Sequence, residues 1–324
     1  MNAATNAAKN RRQHGLGLVE MMVALGLGLL VMLTGSAMLV AASANYLAQA
    51  AAGRLNDNGL YALEALTRAL RQTAFVDWDK DDAPVATLAE DSANIAGLDG
   101  RTVSLAVDGI ENPSADAING SDVLAVRYFG TGTGSDGDGS VLNCAGFGVA
   151  AAADESGRGW SIFYVAADSA GAAELRCKYR GDNGWGGDAI VRGIDTFQVL
   201  YGLDTDAEPD GVANRYINAS AVAALDAALP LAGVDAAARA RELNRRSHWK
   251  RVVSVKIGLL LHDDGGAAPG VMADHVDLFG DEYGAAYGAT DVGARIEIAA
   301  LPAAQRRLPR RLLVATILLR NRAQ

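Results

Sequence analysis

The chain has 324 residues, 50% of them hydrophobic and 21% charged, with a formal net charge of −9. That length holds one large or two small globular domains beside a membrane segment, and the composition excludes a wholly disordered chain. The acidic balance argues against general nucleic-acid binding, since a phosphate backbone would be repelled.

Lys9, Arg11 and Arg12 lie in a leader with no acid among the first fifteen residues. From Leu16 to Gly53 the only charged side chain is Glu20. The apolar run from Met21 through Val40 meets the requirement of about 20 helical residues for a ~30 Å hydrocarbon core. Basic residues ahead of a first apolar helix hold that end in the cytoplasm and place the bulk of the chain outside. The run is longer than the roughly 7–15 residues of a secretory h-region, and Ala42-Ser43-Ala44 is the nearest approach to a downstream cleavage site. Glu20 is costly at the start of such a helix unless something pairs with it; the bland alternative is a carboxylate at the headgroup boundary.

The helix is expected to continue past the membrane. Leu55, Gly59, Ala62, Leu63, Leu66 and Leu70 fall on one stripe, with Arg54, Asp57, Asn58, Glu64, Arg68 and Arg71 on the remaining face. The spacing predicts one helix over about 16–73, roughly 87 Å long. Residues 16–44 form its apolar transmembrane or filament-core half and 45–76 its amphipathic half. Gly26, Gly28, Gly35, Gly53 and Gly59 each cost up to ~1 kcal/mol of helix propensity, and in a bundle they permit close backbone approach.

A polar loop at 77–82 ends the helix, and the periodicity then changes to two. Residues 102–107, 122–128, 160–166 and 174–179 read as strands separated by Gly, Asp, Asn and Ser turns. Phe197, Val199 and Tyr201 mark another, the alternation from Val253 to Leu261 a stronger one, and 312–319 the last. Residues 219–244 read as an Ala-rich helical insertion. The glycine-rich loop at 130–139 lacks the Lys-Ser/Thr and the helix of a phosphate cradle. Strands following one long helix, without a βαβ rhythm, predict an α+β fold in which 77–324 forms a β-rich domain, its antiparallel sheet covered by the amphipathic half of the helix. Cys144 and Cys177 are the only cysteines, and in an exported domain such a pair reads as a disulfide.

Chemistry-bearing groupings are few. Asp204 precedes Asp206, Glu208 and Asp210, whose spacing before Gly211 imitates the start of a calcium loop. Position twelve of that loop is Ile217 rather than Glu, and an acidic hairpin is the plainer account. His14, His248, His262 and His275 are scattered, so no transition-metal site is expected. Ser161, Ser247 and Ser254 sit in no nucleophile elbow, which argues against a hydrolase; no cofactor and no enzymatic activity are expected. Arg245, Arg246, Lys250 and Arg251 around Trp249 make a local basic patch, read as solvated strand-entry residues before nucleic-acid contacts.

Gly15-Leu16-Gly17-Leu18-Val19-Glu20, after a basic leader and before an apolar helix, resembles the prepilin-type signal. The resemblance implies a leader at 1–15, cleavage by a prepilin peptidase between Gly15 and Leu16, and methylation of the new N-terminus. It also implies that Glu20, as fifth mature residue, meets the α-amine of a neighbouring subunit. Cleavage removes three cations and takes the net charge from −9 to −12. Further along, Asp122–Tyr128, Asn143-Cys144, 163–165, Leu175-Arg176-Cys177, 197–204, 249–255 and Leu319-Arg320-Asn321 follow the order of the PilW family of type IV pilus minor pilins. That resemblance implies a helix-plus-sheet subunit that helps prime pilus assembly. Its partners would be other minor pilins, the major pilin and the inner-membrane assembly platform, and its location the inner membrane and then the pilus. The J-type pseudopilin of type II secretion and a pilus-tip adhesin displaying 130–139 and 263–290 are the rival readings. The isolated protein is expected to begin at Leu16, whereas Gly15→Ala retains the leader; identical masses for the two, read by intact-mass spectrometry, would mean that no such processing occurs.

Overall fold

A computed structural model describes residues 17–75, 89–181, 184–265 and 273–321. Gly15, Leu16 and the loop expected at 77–82 lie outside the described residues. The first element, α1, runs Leu18–Gln72. No proline interrupts it, Glu20 lies in its first turn and Arg71 in its last, each matching the sign of the helix dipole.

Contacts divide the chain after Gln49. In the first unit every described residue from Gly17 to Gln49 is exposed. The hydroxyls of this apolar stretch are satisfied within the helix: Thr34 donates to Val31 O at 2.9 Å, Ser36 to Met32 O at 2.8 Å and Ser43 to Val40 O at 2.9 Å. Such internal bonds let polar residues stand in a segment that offers no other partners.

The second unit begins at Ala50. Here α1 buries Ala51, Leu55, Gly59, Ala62, Ala65, Leu66, Ala69 and Leu70, at the three- and four-residue spacing of one helical face. After it come β1 (Ile95–Leu98), β2 (Val123–Tyr128), β3 (Gly159–Ala167), β4 (Ala173–Gly181) and β5 (Gly184–Arg192), an antiparallel meander in the spatial order β1-β2-β3-β4-β5. Gly193 alone links β5 to β6 (Ile194–Leu203) in a second sheet. Its φ is +76°, and a Cβ there would stand 2.5 Å from His262 O, so only glycine fits this corner. Next follow β7 (Arg215–Ile217), α2 (Ala219–Ala227), α3 (Ala236–Arg246) and β8 (Val252–His262). The chain closes with β9 (His275–Asp277), α4 (Asp281–Tyr287), β10 (Arg295–Glu297) and β11 (Arg310–Leu318). The second sheet has the order β11-β8-β6-β7, and β9 pairs with β10.

The main core joins the buried face of α1 to both sheets: Leu124, Val126, Phe163 and Leu175 from the first, Phe197, Tyr201, Val255, Ile257 and Leu259 from the second. Gly59 marks the closest approach, since a Cβ there would lie 1.9 Å from Leu313 Cδ1. Gly26, Gly28, Gly35 and Gly53 face open space. On the far face of the first sheet, Val103 covers Val123, Ala125, Ile162 and Tyr164. Leu278, Ile296, Ile298 and Leu301 cover Leu260 on the second.

The α+β class and the long helix on antiparallel strands agree with expectation, while four details differ. One sheet is expected; among the described residues two main sheets and the separate β9–β10 pair are found, because the glycine corner at 193 turns the chain out of the first. Residues 102–107 form no strand; Thr102 makes only an isolated bridge to Ser114. The insertion at 219–244 is two helices, with Pro230 in the break and Asp235 capping the second through Ala238 N at 2.7 Å. The nine-residue strand β5, the short strands β1, β7, β9 and β10, and helix α4 are not marked by the sequence pattern.

Cys144 and Cys177 form a disulfide across 33 positions, tying the segment after β2 to the buried centre of β4. A loop of that size is stabilised by about 3–4 kcal/mol relative to the open chain. The double variant Cys144→Ser with Cys177→Ser is therefore expected to lose that amount in denaturant unfolding; a midpoint unchanged from the parent would contradict it.

Candidate functional site

The residues that point to function gather at the start of α1. Gly17 is the cap: its carbonyl accepts from Met21 N at 3.1 Å, and its own N–H donates to Glu20 Oε2 at 3.0 Å. A carboxylate at the third helical position reaching back to the cap N–H is half of a capping box. Glu20 thus starts the helix and remains exposed. Around it Leu18, Met32, Leu33, Met38 and Leu39 are each more than 70% exposed, and no face of this stretch is polar. A helix apolar all round is stable only when something apolar surrounds it, lipid or other helices.

The acidic loop differs from its expected composition. Ligand oxygens of Asp204, Asp206 and Asp210 lie within 4.8 Å of one another, and Glu208 is not among them. Asp204 is buried, accepting Asp206 N at 3.2 Å and Gly211 N at 2.6 Å, while Asp210 accepts Val212 N at 2.8 Å. These bonds shape the hairpin between β6 and β7 and engage both oxygens of Asp204 and one of Asp210. Calorimetric titration at millimolar Ca²⁺ is expected to give no heat; a stoichiometric signal abolished by Asp210→Asn would reverse that conclusion.

In the basic patch around Trp249 two cations are ion-paired, while Lys250 and Arg251 donate to main-chain carbonyls, Arg251 to that of Asp206. Arg245 pairs with Glu90 at 2.5 Å, Arg246 with Glu242 at 3.7 Å, and Lys250 Nζ donates to Ala89 O at 2.7 Å. Nearby, Asp226 accepts the Ser247 hydroxyl at 2.6 Å and bonds His248 Nδ1 at 2.7 Å. Serine, histidine and aspartate meet here, but the hydroxyl is held by the carboxylate rather than the imidazole. This is the reverse of the order that activates a nucleophile.

Several buried ionic groups were not visible in the sequence. Lys178 on β4 is fully buried, and its ammonium donates to the carbonyls of Ser104 and Val107 at 2.8 Å and Gly109 at 2.6 Å, with the Trp185 ring 4.5 Å away. Burial pulls its pKa below the usual lysine range, against the opposing pull of Asp108 and Glu111. Arg127 packs 4.4 Å over the Trp160 ring, and burial lowers its pKa to about 10. Asp195 accepts Arg310 Nε at 2.6 Å and bonds His262 Nδ1 at 2.8 Å, closing β6, β8 and β11 together at one end. Sequence pattern marks each of these only as a charged residue in an otherwise apolar strand.

Residues 162–321 match the PilW family model, described as type IV pilus-assembly protein W. Residues 10–36 match the prokaryotic N-terminal methylation motif, which contains Gly15, Leu16 and Glu20. No curated protein sequence and no solved structure gives a match. The methylation signal and the apolar helix together indicate membrane anchoring.

Proposed function

Because the chain is a type IV pilus-related pilin of the PilW family, we propose that it is a non-enzymatic minor pilin that takes part in pilus assembly and initiation. The observation that carries this reading is the first half of α1, apolar on every face, exposed throughout and bearing one carboxylate, Glu20. In this reading the leader at 1–15 keeps the N-terminus cytoplasmic and the domain at 77–324 periplasmic until prepilin peptidase cuts after Gly15. The helix then leaves the bilayer for the filament, where contacts with the helices of other pilins replace lipid contacts of similar polarity. That exchange has little net apolar driving force, so packing and specific polar contacts decide it.

Glu20 supplies the polar contact. Its carboxylate, four residues from the new α-amine of Leu16, can meet the amine of a neighbouring subunit once both are out of water. A buried pair of this kind fixes register more than it adds stability. The immediate partners are the minor and major pilins, with the inner-membrane assembly platform presenting the subunit.

Glu20→Ala removes the carboxylate and half of the helix cap, a local cost of about 1 kcal/mol. The variant is expected to be cleaved and to keep the thermal midpoint of its globular unit, while pilus number per cell and twitching fall. Normal piliation by electron microscopy would remove the proposed role of Glu20.

A further inference from the structure

Strand β11 pairs with β8 over its whole length, Arg310 opposite His262 through Leu318 opposite Ser254, and among the described residues its other edge is unpaired. Residues 312–319 (Leu-Leu-Val-Ala-Thr-Ile-Leu-Leu) carry no charge. Their alternation is complete. Leu313 packs on the core and Ile317 and Leu319 are buried, whereas Leu312, Val314 and Leu318 are 36%, 45% and 66% exposed. The layer that covers this side of the sheet reaches Leu260, which pairs with Leu312.

A long apolar edge strand is a template for another strand, and native proteins blunt such edges with charge, proline or a bulge. None of these interrupts 312–318. The charges sit at its two ends and share one sign: Arg311 before it and Arg320 after it, both exposed. Residues 298–324 hold six arginines and no acid, which leaves −15 on residues 1–297.

That arrangement discriminates between occupants. A second β11 brings no acid to either arginine in any register, since residues 298–324 hold none, and parallel in-register pairing sets each arginine opposite itself, where like charges are destabilising. A copy of this edge therefore offers its two arginines no countercharge. We infer that the free edge of β11 is the docking edge for a different pilin subunit, through an apolar strand of that subunit flanked at both ends by Asp or Glu. Main-chain bonds along the edge supply affinity, and the flanking charges set partner and register. The identity of the partner as a pilin rests on the function proposed above.

The test uses the full-length chain in piliated cells, with a benzophenone attached to Val314→Cys, an exposed position whose replacement leaves the core intact. Irradiation is expected to give one adduct, mapped by mass spectrometry to an acid-flanked apolar strand of another pilin. Arg311→Glu with Arg320→Glu should reduce that adduct by about tenfold or more, and Arg replacing the mapped flanking acids should restore it. An adduct to a second copy, an adduct to lipid, or no adduct in a chain that is processed and present in filaments each overturns the inference. The mature mass is read from the same cells. An unprocessed chain defeats the proposed function itself, whereas a processed, filament-borne chain without the adduct defeats only the role of β11.

Discussion

The second half of α1 and the two sheets exist as a folded unit because they bury one another. Most of the stability of an amphipathic helix segment comes from packing its apolar face, and each antiparallel sheet has an inner face that must be covered. Leu55, Ala62, Leu66, Ala69 and Leu70 cover both sheets with a single ridge. The small residues on that ridge decide how near it comes. Gly59 lets Leu313 of β11 and Leu261 of β8 approach the helix backbone directly. A larger side chain there would force Leu313 out of its place and loosen the edge of the second sheet.

Around this apolar contact, buried ions fix the parts that cannot pack by themselves. Lys178 holds three carbonyls of the irregular segment 104–109, and Arg158 binds Asn94, Ser92 and Glu155 below the first sheet. Asp195 joins Arg310 and His262 where β6, β8 and β11 end. Each ion is desolvated at a cost of several kcal/mol, offset only when its hydrogen bonds are complete. They act less as sources of stability than as constraints on which loop conformation the domain accepts. The disulfide does the same for the Gly-rich turn region by tying Cys144 to the interior of β4.

The functional argument divides along the chain. The exposed apolar helix accounts for membrane anchoring and, in the proposed function, for entry into the filament, a property of composition shared by any subunit with the same signal. What distinguishes one subunit from another must lie in the globular unit, and the basic-flanked edge of β11 is the feature there with partner preference written into its charges. The acidic hairpin at 204–214 is closed by its own amides, and Arg245 and Arg246 near Trp249 are already paired with Glu90 and Glu242.

Local chemistry was enough to read the processing signal, the apolar helix, its amphipathic continuation and the strands β2, β3, β4, β6, β8 and β11, because each is a long run with one period. The cysteine pair was legible from its number and from the export implied by the N-terminus. Tertiary structure decided the rest. Residues 102–107 have strand periodicity, yet the Lys178 ammonium takes the carbonyls of Ser104 and Val107 and leaves no ladder to join. Strand β5, with glycine at 184, 186 and 187, pairs because β4 lies beside it, although its own propensity argues against a strand. Whether Leu312, Val314 and Leu318 face a core or an open edge depends on what lies across the sheet. Periodicity assigns side chains to faces, and only packing says which faces remain uncovered.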